Sequence, residues 1–370
     1  MTRFIEFVIA LVLVAVLFVI VGVALPDHRN VRHSVETNRP VRLVYDLLNG
    51  FQRFAEWHPL RMHDPAIKYT LEGAERGVGA VLRFESANQK IGSGTLTITD
   101  SIEDSSIEFS IDNNAYGTNK TSIFTLDERG KTVDINWEYD VDYGWNLFGR
   151  YAGLYVSRTV GDDLKLGLAN LTGLLSTIPN HDYSSLAIEQ VDLPAQHILY
   201  VTTTADRNIT AVEEGMDAGI KLVRSAIAAN GLEAAGPVRL ITTNFADKKY
   251  EFDVAIPVRR PSAAAAEPSE PAADAAAAQS AAAETVVQAL EPLEGLRLPE
   301  KVQQGVAYTG KALKAHFAGH PATLPLIRDM VRAYAATHGL PVHDRAFEEY
   351  LNELNTSVDQ TEFEVYWPIK

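Results

Sequence analysis

Ile107-Glu108-Phe109-Ser110-Ile111, Ser122-Ile123-Phe124-Thr125-Leu126 and Val133-Asp134-Ile135-Asn136-Trp137 are three runs in which apolar and polar side chains alternate, broken only at Ile123-Phe124. Successive side chains of a β-strand point to opposite faces, so this alternation buries one face and leaves the other wet. Two runs upstream, Val81-Leu82-Arg83-Phe84 and Thr95-Leu96-Thr97-Ile98, share the pattern, with Gly-rich or Asp/Asn-rich turns between runs. The spacing predicts an antiparallel sheet across Lys68–Asp142 with one buried face. Outward from the sheet, Val31–Glu36 reads as a strand. Asn38-Arg39-Pro40 opens a helix with Val41, Val44, Tyr45 and Leu48 at helical spacing. An aromatic knot follows: Phe51, Phe54, Trp57, His58 and Pro59. After the sheet, Gly149–Leu175 reads as a long helix with Leu164, Leu168, Leu171 and Leu175 on one stripe.

Strand, two short helices, antiparallel strands and a long closing helix form an order that resembles the START-like (SRPBCC, polyketide cyclase) superfamily over residues 29–177. Two segments carry the resemblance: Val41–Pro59, with Phe51-Gln-Arg-Phe54-Ala-Glu-Trp57-His-Pro59, and Asp163-Leu-Lys-Leu-Gly-Leu-Ala-Asn-Leu171. It implies a helix-grip fold whose sheet curls around the last helix to leave a hydrophobic cavity, with Trp57 and His58 at the mouth. A lone His beside Pro is more often structural or exposed than catalytic, so His58 is read as a ligand-lining and not a catalytic residue. Asp162 and Asp163 are neighbours on a helix and point apart, which makes them a poor catalytic pair.

Ahead of this domain, Phe7–Leu25 contains no charged, amide or hydroxyl side chain. At about 1.5 Å per residue the run is roughly 28 Å long, close to the thickness of a bilayer's hydrocarbon core. Pro26 and Asp27 end it, so residues 1–26 read as a transmembrane anchor. Gly22-Val23-Ala24 would suit a signal-peptide cleavage site, but signal cores span about 7–15 residues and follow a more basic head than Arg3 alone. The expected protein is single-pass in the inner (cell) membrane, its body on the periplasmic, extracytoplasmic side. Net charge is −15, which argues against nucleic acid as partner, since phosphate neutralisation dominates that binding. There is no cysteine, which excludes disulfides, thiolate catalysis and Cys-type zinc sites.

Past Ser185 a second unit contains a repeat. Glu251-Phe-Asp-Val-Ala-Ile-Pro257-Val258 is echoed by Glu362-Phe-Glu-Val-Tyr-Trp-Pro368-Ile369, each preceded by strand, helix and strand. One helix starts at a Thr210-Ala-Val-Glu213 capping box and ends at Asn230-Gly231; the other runs Thr323–His338 with Gly339 as its stop. Met216, Ile220, Val223 and Ile227 form one apolar stripe, and Ile327, Met330, Val331 and Tyr334 the other. The duplicated βαββ pattern over 186–370 resembles the GyrI-like (bacterial effector-binding) domain through Tyr308, Phe317-Ala-Gly319, Phe347-Glu348-Glu349-Tyr350 and Glu362–Ile369. It departs from that family at His320-Pro321, where a Tyr is usual, and in an Ala/Pro-rich insertion at 261–290, read as disordered because it holds almost no large apolar side chain.

The resemblance implies a groove in which Glu348 pairs with cationic ligands among aromatic rings. Alternation places Glu348 and Tyr350 on one face of their strand and Phe347 and Glu349 on the other. Glu349 is the alternative carboxylate, an exposed strand glutamate is the bland alternative for Glu348, and Tyr308 and Trp367 are candidate groove aromatics, with a core position the equal alternative for each. His316 and His320 lack an acidic third ligand, so no metal is expected, and no nucleotide or other cofactor motif is present. The chain thus reads as an α+β, membrane-anchored binder of a small hydrophobic molecule, lipophilic cations included. Catalysis of a cyclase, dehydratase or hydrolase kind, with Glu348 as base beside Tyr350 or Tyr308, is the alternative; a non-catalytic envelope adaptor with collapsed pockets is the third reading.

Overall fold

The computed structural model describes residues 2–245, 248–261, 290, 292–352 and 361–370. The insertion expected at 261–290 lies outside the described residues except at its two ends. Two compact units make up the chain: Met1–Ser184 with Arg332–Leu340, and Ser185–Val331 with Pro341–Lys370.

The first unit opens with helix α1 (Thr2–Ala24), whose Arg3–Ala24 portion is long and apolar enough to cross a membrane. Then come β1 (His28–Thr37), α2 (Val41–Leu48), and the single turns α3 (Phe54–Trp57) and α4 (Leu60–His63). The alternating runs become a meander of β2 (Lys68–Gly73), β3 (Ala80–Glu85), β4 (Ser93–Ile102), β5 (Ser106–Asn113), β6 (Thr118–Arg129) and β7 (Thr132–Asp142). All pairings are antiparallel, and β1 joins beside β7 to give the order β1-β7-β6-β5-β4-β3-β2. The buried face is the apolar half of each alternation: Leu82 and Phe84, Leu96 and Ile98, Ile107 and Phe109, Phe124 and Leu126, Val133, Ile135 and Trp137.

Helix α5 (Leu147–Ser176) follows the sheet, started by Asn146, whose side chain accepts a hydrogen bond from the Gly149 N–H. Its second half buries the predicted leucine stripe, Leu164, Leu168, Leu171 and Leu175. On α2 the apolar face is completed by a charge: buried Asp46 accepts from Arg42 Nε at 2.8 Å and from the Tyr183 hydroxyl at 2.7 Å. Burying a carboxylate is tolerable only with such partners.

The second unit contains β8 (Ile188–Leu193), β9 (His197–Asp206), α6 (Ile209–Ala229), β10 (Glu233–Ala234), β11 (Val238–Phe245), β12 (Lys249–Arg259), β13 (Gln303–Val306) and β14 (Gly310–Gly319). It continues with the Leu324–Val331 part of α7 (Leu324–Thr337), β15 (Phe347–Tyr350) and β16 (Thr361–Pro368). Its antiparallel sheet runs β13-β9-β12-β11-β15-β16-β14-β8, with β10 on β12. The triplets β9-β12-β11 and β15-β16-β14 thus stand in mirrored order, meeting where Leu240 pairs with Glu348. Met216 and Val223 of α6 and Ile327 and Val331 of α7 are buried, as their stripes predict.

Two local expectations change. The start of α6 is capped by Asn208, which accepts from Ala211 N at 2.8 Å, so Thr210 lies inside the first turn and the capping box is not used. Asn caps at least as well as Thr and stands two residues earlier. Strand β15 is buried at all four positions, so neither Glu348 nor Glu349 is a solvent-exposed strand glutamate.

Candidate functional site

Two places gather the chemistry, one in each unit. In the first, α3 and α4 are single turns that fold the aromatic knot back over the buried face of the sheet. Phe54 and Trp57 meet edge to face at 5.3 Å, Trp57 meets Trp137 at 5.6 Å and Phe124 at 5.8 Å, and Phe124 stacks on Trp137 at 4.8 Å. Such offset and edge-on pairs are the favoured geometry for ring quadrupoles. Helix α5 can lie this close because residue 167 is Gly: a Cβ there would sit 2.5 Å from Trp137 Cζ3. Trp57 is only 2% exposed, so it lies in the core and not at a cavity mouth. The sequence placed it by family likeness; ring-on-ring packing drew it inward.

His58 stacks on Phe54 at 4.2 Å, and its Nδ1 accepts from the Leu60 N–H at 3.3 Å. Burial, with a smaller repulsion from His63, pushes its pKa down to about 3, so the ring is neutral near pH 7. Three further polar groups set the character of this core. Trp137 Nε1 donates to Ser122 Oγ at 2.6 Å. By contrast, Trp57 Nε1 and the Tyr69 hydroxyl are buried with no hydrogen-bond partner among the described residues. Both rings adjoin Phe54, Tyr69 at 6.0 Å, and burial raises the Tyr69 pKa to about 12, which keeps the proton on its oxygen. A buried donor without an acceptor costs about 1–3 kcal/mol, which an acceptor reaching either group would offset.

In the second unit Glu348 is fully buried, and it is not a lone carboxylate. Arg328 on α7 grips it with two bonds, Nε to Oε1 at 2.5 Å and Nη2 to Oε2 at 2.7 Å. Nη2 also donates to the Tyr250 hydroxyl at 3.1 Å, and the guanidinium carbon lies 5.8 Å from the Tyr250 ring centroid. Desolvation opposes the charge on Arg328, but Glu348 and Tyr250 outweigh it and raise its pKa. Beside this pair is a cavity of about 250 Å³ with Ile209, Val212, Leu240, Leu324 and Pro325 among its walls. Tyr250, Tyr350, Arg207 and Arg328 also line it, whereas Glu348 does not. The polar group this cavity presents from the pair is therefore the guanidinium.

Of the other sequence candidates, Tyr350 is buried at the cavity wall, packed edge-on against Phe363 at 5.0 Å. Glu349 faces the opposite side of the sheet, as alternation predicts, where Arg239 Nε donates to it at 2.7 Å and Phe347 stacks on Tyr366 at 4.7 Å. Tyr308 is elsewhere: its hydroxyl lies 3.0 Å from the Lys311 carbonyl and 3.1 Å from that of Ile369. Trp367 is half-buried near the end of β16, opposite Leu313, and does not line the cavity. Glu348 and Tyr350 are thus neighbours, but Tyr308 and Trp367 do not join them there. Sequence reasoning passed over Arg328, Tyr250 and Tyr69. A long cation one step from Ile327 on the apolar stripe of α7 was the available sign of Arg328.

No curated protein matches the chain. Among solved structures, norcoclaurine synthase from Thalictrum flavum is 13% identical, with 42% of this chain and 90% of that one covered and a TM-score of 0.33. A protein from Thermobifida fusca is 20% identical over 39% of this chain and 90% of its own, with a TM-score of 0.32. The C-terminal domain of EcmrR is 10% identical, with 50% of this chain and 98% of that domain covered and a TM-score of 0.35. The model of one family, polyketide cyclase / dehydrase and lipid transport, matches residues 28–175. Residues 28–175 therefore form a domain of the polyketide cyclase (SRPBCC) type, a family consistent with binding a hydrophobic ligand.

Proposed function

We propose that this protein is a membrane-anchored carrier or sensor of a small hydrophobic molecule bearing a hydrogen-bond acceptor, held in its polyketide cyclase-type domain. The observation that carries this reading is the pair of buried donors, Trp57 Nε1–H and Tyr69 O–H, standing in an aromatic core without an acceptor. Rings supply dispersion and apolar burial, while a carbonyl or ether oxygen would supply the missing acceptor. His58, neutral and packed against Phe54, serves as wall. Helix α1 is the anchor in this reading, with the body on the extracytoplasmic side. The second unit is a GyrI-like duplication whose cavity beside Arg328 takes a second small ligand. Because Glu348 is closed off behind Arg328, that cavity suits an acceptor-bearing molecule better than a lipophilic cation.

Tyr69→Phe tests the carrying observation. It keeps the ring and removes only the hydroxyl, so thermal stability of the unliganded chain should hold or rise as an unpaired donor disappears. Native mass spectrometry of the full chain released from detergent should show a co-purifying apolar molecule in the wild type and its loss in Tyr69→Phe. A lowered melting temperature with unchanged co-purification would mean the hydroxyl is structural, and the reading would fall. A non-catalytic adaptor role is the second reading, favoured by the tight ring packing around Trp57 and by a Glu348 with both oxygens engaged.

A further inference from the structure

The first three turns of α5 carry a surface that the ligand-binding reading leaves unused. Trp145 is 81% exposed, Phe148 67%, Leu154 49% and Tyr155 69%, a density of exposed large apolar side chains that a soluble face does not need. Phe148, Tyr151 and Tyr155 follow at helical spacing, so they form one stripe. That stripe is continuous with α1. Tyr151 stacks on Phe18 at 4.6 Å, Phe148 lies 5.2 Å from the same ring, and the Tyr151 hydroxyl donates to the Phe18 carbonyl at 2.8 Å.

The joint between the helices is fixed. Arg150, buried, donates through Nη1 to the carbonyls of Val23, in the last turn of α1, at 3.0 Å and of Leu25, just past its end, at 3.1 Å. These are carbonyls that a helix end leaves unpaired, so the guanidinium both caps α1 and ties it to α5. Phe18 stands seven residues before Leu25, about 10 Å further along the helix axis. In an otherwise acidic chain, Tyr143–Gly161 contains Arg150 and Arg158 and no Asp or Glu, so nothing in it repels an anionic headgroup.

We infer that this aromatic face is a bilayer-docking surface: the start of α5, with Trp145, sits in the headgroup region beside α1 and holds the first unit against the membrane at a fixed angle. Trp and Tyr with an apolar body and a polar edge are the residues that settle at that depth. The inference rests on the reading of α1 as an anchor. Its occupant is the lipid interface, chosen over a second copy of the chain because the stripe runs unbroken into a helix apolar on every side.

The absence of cysteine permits single-cysteine spin labels without prior substitution. The full chain would be labelled at Leu13→Cys, Leu154→Cys, Tyr155→Cys and Lys131→Cys, and reconstituted in nanodiscs of phosphatidylcholine with phosphatidylglycerol. Labels at 154 and 155 should collide with oxygen over a water-soluble nickel chelate at a several-fold higher ratio than the label at 131, and below that of 13. A ratio at 154 and 155 equal to that at 131, with 13 deep in the bilayer, overturns the docking inference alone. Spin–spin broadening between copies at 155 also overturns it, by making a second chain the occupant. A label at 13 in water overturns the anchor and the docking together. Should the cysteine variants misfold, brominated lipid should quench the unlabelled wild type and quench Trp145→Phe markedly less; equal quenching overturns the inference.

Discussion

Removing Arg328 strands a carboxylate. Glu348 is 0% exposed, the Arg328 side chain is 11% exposed, and two bonds of 2.5 and 2.7 Å join them. Deleting one partner of a buried ion pair costs about 3–5 kcal/mol, because the remaining charge is left desolvated. At about 2–4 °C per kcal/mol for a domain of 150–250 residues, Arg328→Met should lower the melting temperature by roughly 6–20 °C. The double variant Arg328→Met/Glu348→Leu removes the stranded charge as well, and should recover most of that loss. Scanning calorimetry of the full chain in detergent gives both numbers. If Arg328→Met is destabilised, lipophilic cations should restore it by pairing with Glu348, which the wild-type guanidinium prevents. A single variant as stable as the wild type would refute the reasoning. So would a double variant as unstable as the single one, which would place the cost in lost packing and not in charge.

Two further outcomes follow from the ring core. Gly167→Ala puts a methyl against Trp137 and should destabilise by about 1–3 kcal/mol, read from urea midpoints, with a changed near-ultraviolet tryptophan spectrum; an unchanged midpoint would mean that α5 can retreat from the sheet without loss. His58 has a folded pKa of about 3 against an ordinary 6.5, so the unfolded chain binds its proton first as pH falls. Its contribution is complete above about pH 6.5 and declines from there toward pH 3, and His58→Phe should flatten that limb of the stability profile. His338, lowered by burial to about 4, titrates in part of the same window, so the slope should fall without vanishing; an unaltered slope in His58→Phe would show that the ring is solvated.

Local period and composition determined the strands from Ala80 to Asp142, the helix at Val41–Leu48, the leucine stripe of α5 and the apolar run of α1. Each is written in side chains a few residues apart, and a period of two or of 3.6 needs no knowledge of the rest of the molecule. Alternation also separated Glu348 from Glu349 correctly, since opposite faces follow from strand geometry alone. It could not say what covers each face. That depended on α7 setting Arg328 over Glu348 from 20 positions away, and on strand pairing placing Arg239 of β11 directly opposite Glu349. A carboxylate's charge is legible in the sequence; whether it meets a ligand or a guanidinium depends on which side chains the fold brings within 3 Å. The same holds for Trp57 and Tyr69. Their rings were legible as apolar mass, but their unpaired N–H and O–H exist only because the close packing of Phe54, Phe124, Trp137 and Gly167 left no acceptor beside them.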